Sequence, residues 1–522
     1  MAEGPYFMGI DGGTGSVRVG IFDREGTPLV FHGVEYATNH PRPGWAEQDP
    51  DEWWSCLVAA VKGAVRESGV SAEEIAGISM DTTSCTVVAM DENDRHMRPA
   101  LLWMDVSASD QARRLQETGD PALKYNGYGA VSAEWMPSKS LWLKENEPDV
   151  YENAKHICEY QDWMTHKLTG EWTASISNTS IRWYYDRNNG GWPTLYEAVG
   201  LGDILDKFPE RVLDQGEVVG GLRREVAEEM GLKPDTPVAE GGVDAFVAAL
   251  GLGVTEPGKL ALITGSSHVM IGQAAEPHHG QGFFGAYTDA MIPGQFTVEG
   301  GQVSTGSIVA WFKNRFAGDA VAEAKKRGVD PYDVLTELAQ DVPIGSDGLV
   351  AIDYFQGNRT PYTDPLARGM LWGLSLSHTP GHVFRAILEG ICYGTEHIFR
   401  TMREHGFQPG EAVVAGGPTK SEMWMQMHAD VSNMPISFTR EGEGAVLGSA
   451  MLAAVGAGVY PDIQTAAEHM VHTERIIEPD QSRHEEYQFY VDRYVETYPQ
   501  MRELMHKTVR HVESGGKAVA EA

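Results

Sequence analysis

The feature that most constrains this chain is a pattern that occurs twice. Near the start, residues 7 to 10 are apolar, DGGTGS at 11 to 16 is a glycine-rich turn, and Val17, Val19 and Ile21 alternate as a returning strand. Around position 260 it recurs: residues 260 to 263 are apolar, TGSS at 264 to 267 turns, and Val269 and Ile271 alternate afterwards. Each unit reads as a β-hairpin with a glycine-rich tip, and two of them suggest a duplicated domain. The length agrees, because 522 residues exceed what one hydrophobic core usually serves. Two domains imply a cleft between them.

Between the hairpins lie helical and further strand-like stretches. A helix is predicted to start at Asp49, with Pro50 in the first helical position, Glu52 as capping-box partner, and Trp54, Leu57, Val58, Val61 and Val65 along one face. Strands are expected at 75 to 80, at 86 to 90 and, beyond the polar turn DEND, at 101 to 103. The class is therefore α/β. The domains are placed at 1–250 and 251–480, separated by the stretch GLGVTEPG, with a helical tail over 481–522 whose last residues, SGGKAVAEA, are expected to fray.

Bulk charge limits the partners. Seventy-four acidic against 41 basic residues leave -33, a field that repels nucleic acid and anionic membrane surfaces. ATP would be repelled at long range too, so a nucleotide site needs local backbone donors and a divalent cation. No apolar run is long enough for a membrane span, and the N-terminus carries no basic-then-apolar leader. Cys56, Cys85, Cys158 and Cys392 show no paired spacing. A cytoplasmic protein with reduced thiols is expected.

A glycine tip between strands presents successive backbone N–H groups that can cradle phosphate oxygens, and Asp11, at the end of the first strand, is placed to hold hydrated Mg²⁺. One such tip is equally well a turn chosen for its geometry; two in matching places favour phosphate. GVTEPGK at 253 to 259 imitates a Walker A loop, but Leu260 replaces the required hydroxyl and no helix follows. A dinucleotide fingerprint also fails, since Arg18 stands at the last glycine position of GTGSVR. In VAEGGVDAFVAAL, at 238 to 250, a strand and glycine turn lead into a helix beginning near Asp244. Such an aspartate is usually a cap, yet this one falls at the domain junction. Trp103, behind two leucines, would by itself be read as core, and the pair His278 and His279 as a polar surface loop.

Taken together, the segments resemble the FGGY carbohydrate kinases. The likeness runs from about residue 6 to about 460 through DGGTGSVR at 11 to 18, PSKSLWLKEN at 137 to 146, GGVDAF at 241 to 246 and TGSS at 264 to 267. It continues through EGGQVSTG at 299 to 306, GNRTPYTDPLARGMLWGLSLSHT at 357 to 379, ILEGICYG at 387 to 394 and AGGPTKSEMWMQMHADV at 415 to 431. The resemblance implies two ribonuclease-H-like, actin-like ATPase domains around a central cleft, with ATP mainly against the second. It implies Asp244 as general base and Asp11 as the Mg²⁺-site residue. Thr14, Gly15, Ser16, Thr264, Gly265, Ser266 and Gly306 would meet phosphate, and Gly416 and Gly417 adenosine. DTTSCTVVAMD at 81 to 91, LLWMD at 101 to 105 and VSAEW at 131 to 135 look most like ribulokinases, which would put Ser84, Trp103, Asp105, Arg182, Asp244 and Glu299 around a pentulose. Arg182 departs from the lysine expected there, and a guanidinium fork does not place donors as an ammonium does. The implied activity is transfer of phosphate from ATP to ribulose, with xylulose or a polyol as alternative acceptors. An actin- or chaperone-like ATPase and a sugar sensor are the alternatives of another class. A homodimer is compatible with the sequence, which leaves the oligomeric state open.

Overall fold

The computed structural model describes residues 4–515 and builds two mixed sheets on one plan. The first opens with an antiparallel meander of β1 (Tyr6–Gly12), β2 (Ser16–Phe22) and β3 (Pro28–Glu35). Helix α1 (Pro50–Ser68) then packs on β2 and β3. Strand β4 (Ile75–Thr82) returns parallel to β1, which requires a crossover of the kind α1 supplies. A large insertion carries α2 (Met136–Asn146) and α3 (Ile176–Arg182) before β5 (Val218–Gly221) and β6 (Pro237–Val243) complete the order β5-β6-β4-β1-β2-β3.

Helix α4 (Asp244–Gly251) leads into the second sheet, made of β7 (Lys259–Thr264), β8 (His268–Ala274), β9 (Phe284–Thr288) and β10 (Phe296–Gln302), then β11 (Glu411–Ala415), β12 (Ile436–Thr439) and β13 (Thr473–Ile477). Its order is β9-β10-β8-β7-β11-β12-β13. From β10 to β13 it repeats the first sheet from β3 to β5: two antiparallel pairings, two parallel ones, then an antiparallel edge. The duplicated hairpins are thus the first two strands of two ribonuclease-H-like domains.

Helix α1 shows where local sequence held and where packing overrode it. Pro50 is the first helical residue, and the Asp49 side chain accepts from the Asp51 N–H. The expected Glu52 capping partner instead turns toward Ala37 N, at 3.5 Å. The buried stripe is Trp53, Leu57, Val58, Ala60, Val61 and Ala64, with Trp54 and Val65 only half-buried. The shift follows from aromatic stacking: Trp53 lies 3.9 Å from the Tyr160 ring and donates to Gln48 Oε1. Leu57, Val58 and Val61 of that stripe each contribute about 1.5–3 kcal/mol by burial.

Helix α6 (Pro380–Glu404) packs within the second domain, on β10, whereas a later helix joins the two domains. Helix α7 (Gly444–Gly456), from the second half of the chain, packs on β1, β4 and β6 of the first sheet and on α4. The backbones touch: a Cβ on Gly448 would stand 2.1 Å from Val247 O. Only glycine permits that approach. The C-terminal helix α8 (Gln481–Glu513) is no separate tail, since Tyr487, Val491, Tyr494 and Tyr498 belong to the core of the second domain. From residue 516 onward the tail expected to fray lies outside the described residues. All four cysteines are free thiols, and no helix among the described residues is long and apolar enough to cross a membrane.

Candidate active site

Three carboxylates converge at one edge of the first sheet, because three parallel strands end there. Asp11 on β1 is level with Asp81 on β4, whose other neighbour, β6, ends just before Asp244. The carboxyl ends of adjacent parallel strands are where open α/β sheets form ligand sites. Arg18 Nε donates to Asp11 Oδ2 at 3.0 Å, and the same guanidinium reaches Glu443 Oε2 at 2.6 Å. Asp81 Oδ2 accepts from Ser449 Oγ at 2.6 Å, while its Oδ1 is buried without a partner. Burial first, then the charge of Asp11, pushes Asp81 well above the carboxylate range. The same two causes raise Asp244 to about 7, against the opposing pull of the Ala245 N–H, 2.7 Å from Oδ1, and of Arg18. Asp244 does not serve as the cap of α4; that position is Val243.

The first tip follows directly on Asp11, between β1 and β2. Gly13 N–H donates to Ser16 O, and Tyr36 holds the loop through its N–H to Gly15 O and its hydroxyl to Gly13 O. Thr14 is fixed through its carbonyl by Gln48 Nε2 at 2.7 Å and through its hydroxyl by Trp103 Nε1 at 3.0 Å. Trp103 is therefore half-exposed beside a tip residue and not the core tryptophan that its position behind two leucines suggests. The strand expected at 101 to 103 stops at Leu101, because Asp105 N–H turns back to Leu102 O and breaks the ladder.

The second tip is held by helix α5 (Gly306–Phe316), whose leading amides close on it. Gly306 N–H donates to Gly265 O at 3.1 Å, Thr305 N–H to Ser266 O at 2.9 Å, and Thr264 Oγ1 to Ala415 O at 2.7 Å. Gly416 has φ 109°, and a Cβ there would lie 1.8 Å from Thr264 O. Thr264, Gly265, Ser266, Gly306, Gly416 and Gly417 thus share one backbone surface, from which Ser266, Gly416 and Gly417 are exposed.

Across the cleft, Arg182 at the end of α3 makes a two-pronged contact with Glu299 of β10, at 2.9 and 2.8 Å, and donates to Tyr287 Oη at 2.7 Å. Burial works against the guanidinium's charge, but Glu299 more than offsets it and holds Arg182 cationic. Trp135 stacks on Arg182 at 5.4 Å, and Phe246 of α4 reaches the Tyr287 ring at 6.2 Å, linking this pair to the helix that begins with Asp244. Ser84 Oγ lies 3.2 Å from Cys85 Sγ, and Cys85 shares an apolar cluster with Trp135, Phe246 and Tyr287, against which Trp103 packs.

Asp105 differs from expectation. It is fully buried, and its oxygens accept from Ala46 N–H at 2.8 Å and from the N–H and hydroxyl of Ser107, so it shapes the loop bearing Trp103 and has no oxygen turned to a ligand. Sequence inspection missed Asp81, Tyr287 and Trp135. Asp81 alone carried a signal, since DTTSC repeats the strand-end aspartate of DGGTGS. His279 is no free surface residue either; half-buried in the segment before β9, it has its Nδ1 2.8 Å from Gly285 O of that strand.

Duplicated ribonuclease-H-like sheets with paired glycine tips and an acidic cleft define a class, the two-domain proteins of the actin-like ATPase fold. Within it, the chain belongs to the FGGY family of carbohydrate kinases, whose N-terminal domain matches residues 6–251 and whose C-terminal domain matches residues 260–457. It is 32% identical to the ribulokinase of Geobacillus thermodenitrificans, over 89% of each chain. It is also 32% identical to an FGGY carbohydrate kinase domain-containing protein of Xenopus laevis, over 94% of this chain and 95% of that one. The xylulose kinase of Rhodospirillum rubrum superposes with a TM-score of 0.87 at 27% identity, over 96% of this chain and all (100%) of that one. The protein is an ATP-dependent carbohydrate kinase.

Proposed function

We propose that the acceptor is a ketopentose, ribulose first, phosphorylated on its terminal hydroxyl to give ADP and ribulose 5-phosphate. The observation that carries the transfer to a hydroxyl is Asp244, a carboxylate at the start of α4 that burial and the neighbouring Asp11 raise to about 7. A base with a pKa near neutrality accepts a hydroxyl proton most effectively, a contribution of roughly 10²- to 10⁴-fold. Asp244 takes the proton of the attacking hydroxyl. Ser84, Trp103, Arg182 and Glu299 orient the sugar, and the tips at 14 to 16 and 264 to 266, with Gly306, Gly416 and Gly417, bind the nucleotide. Catalysis is then mostly positioning and charge compensation. Mg²⁺ fits the acidic edge: Asp11 and Asp81 stand side by side on β1 and β4, Asp81 Oδ1 is buried without a partner, and Asp11 would hold a hydrated cation there. There it would neutralise phosphate charge. The likeness to ribulokinases supports ribulose, and the free thiols fit a reducing, cytoplasmic setting.

An ADP-release assay across D- and L-ribulose, xylulose, pentitols, tetritols and glycerol tests the proposal. Highest kcat/KM with a ribulose is expected; preference for a polyol or xylulose overturns the choice of acceptor. Sugar-independent ATP turnover as fast as the best sugar-dependent rate would favour a chaperone-like ATPase.

A further inference from the structure

Behind the loops that carry Ser84 and Trp103 lies a fully buried lysine, Lys139 of α2. Its ammonium donates to carbonyls of two separate segments: Cys85 O at 2.7 Å, Leu102 O, and, more weakly, Leu101 O at 3.5 Å. The other side of the Cys85 residue is held as well. Its N–H donates to Glu159 Oε2 at 2.9 Å, and Glu159, also fully buried, is fixed by Asn178 Nδ2 at 2.7 Å and Trp183 Nε1 at 2.6 Å. Between these two anchors Cys85 adopts φ 62°, a left-handed conformation that a side chain with a Cβ disfavours.

A buried ammonium is costly, and filling this space would need only a methionine or leucine. Burial indeed lowers Lys139 to about 8, opposed by the surrounding Cys85, Asp105, Glu134 and Glu159. What the ammonium does, and an apolar chain cannot, is bind two carbonyls from different segments at once. Cys85 follows Ser84, and Leu102 precedes Trp103, whose indole reaches Thr14 at 3.0 Å. The bonds of Lys139 all go to the first domain; none reaches the second tip or the Gly416 turn.

We propose that Lys139 is a positioning residue of the sugar site: it sets the spacing of Ser84 from Trp103 and, with Glu159, holds Cys85 in its left-handed turn. This rests on Ser84 and Trp103 contacting the sugar. Removing the ammonium lets the Cys85 turn relax, so that Ser84 moves, while the second tip and the Gly416 turn are untouched and the first tip stays held by Gln48 and Tyr36. A misplacement of about 1 Å at a positioning group can cost up to roughly 10²-fold.

The test is steady-state kinetics on the full chain, with ribulose varied at saturating ATP and ATP varied at saturating ribulose. Lys139→Met, which keeps the stem and removes the donors, is expected to raise the ribulose KM about tenfold or more and leave the ATP KM within about twofold. Adding Cys85→Gly to it should recover several-fold of the loss, because glycine takes φ 62° without its Cβ clash. A purely structural lysine would show no such recovery. Should Lys139→Met fail to fold, Glu159→Gln weakens the opposite anchor and is expected to move the ribulose KM in the same direction. An unchanged ribulose KM in a folded variant overturns the proposal, and so does an equal rise in both KM values without recovery by glycine. Ser84→Ala and Trp103→Phe separate the two layers. If neither changes the ribulose KM, the sugar-site assignment falls and Lys139's role with it; if both raise it while Lys139→Met does not, only the role of Lys139 falls.

Discussion

Asp244 is buried beside Asp11, and burial first, then the charge of that neighbour, makes it a base near neutrality. Asp244→Asn should leave sugar and ATP binding near normal and cut turnover by roughly 10²-fold or more, since an amide accepts no proton. Near-normal turnover in the folded variant would remove Asp244 from the chemistry. The pH dependence has a definite sign. A base raised to about 7 is protonated below that value, so kcat/KM of the wild type should rise through pH 7. Stability runs the opposite way. The folded pKa lies above the ordinary 3.8, so the favourable contribution is complete below about 3.8 and is lost as pH rises through 7. Asp244→Asn should accordingly be more stable than wild type at pH 8, on the order of 1 kcal/mol because the cleft is partly solvated, and no less stable at pH 3.5. Thermal melts at the two pH values check this; a variant destabilised at pH 8 would show that Asp244 is not under electrostatic strain.

At the scale of the element, the surface formed by the second tip and the turn after β11 contains two glycines of opposite kind. Gly416, at φ 109° with Thr264 O in the place of a Cβ, is glycine for structural reasons. Gly416→Ala should therefore lower Tm by several degrees, whatever ligand is present. Gly265 has an ordinary backbone, and the nearest atom to its missing Cβ is Ser267 O at 3.8 Å. Gly265→Val should fold normally and raise the ATP KM several-fold while changing the sugar KM little, because only an approaching phosphate meets the new side chain. Melting curves and paired KM measurements distinguish the two; an unaffected ATP KM in Gly265→Val would place the nucleotide elsewhere. The sequence alone could not separate these glycines, since the contact that decides the matter joins residues 264 and 416 across two neighbouring strands.

For the whole molecule, the site draws on both domains, with Asp11, Trp103 and Arg182 from the first and Glu299 and Gly416 from the second. A ligand that touches both favours the closed arrangement by its differential affinity. Small-angle scattering should show the radius of gyration falling with ribulose and falling less with a poor acceptor. An unchanged radius at saturating ribulose would mean a preformed cleft. Closure also excludes water from the γ-phosphoryl group, so ATP hydrolysis without sugar should be slow but measurable.

What could be read directly from the chain were its local instructions. Alternating apolar residues around DGGTGS and TGSS define two hairpins whatever surrounds them, Pro50 and Asp49 start a helix, and the doubled pattern implies two domains around a cleft. Asp11, Asp244 and the tips were visible for that reason, as each lies within a few residues of the turn or helix start that presents it. The rest needed contacts between distant residues. Strand register set Asp81 beside Asp11, and the crossing of α4 with α7 carried the second half of the chain onto the first sheet. Saturation by Ala46 and Ser107 turned Asp105 into a loop fastener, and stacking on Tyr160 chose Trp53 over Trp54. Local sequence fixes the backbone geometry of a turn; which charges share a dielectric and which carbonyls share a donor is decided only when the chain has folded and brought them together.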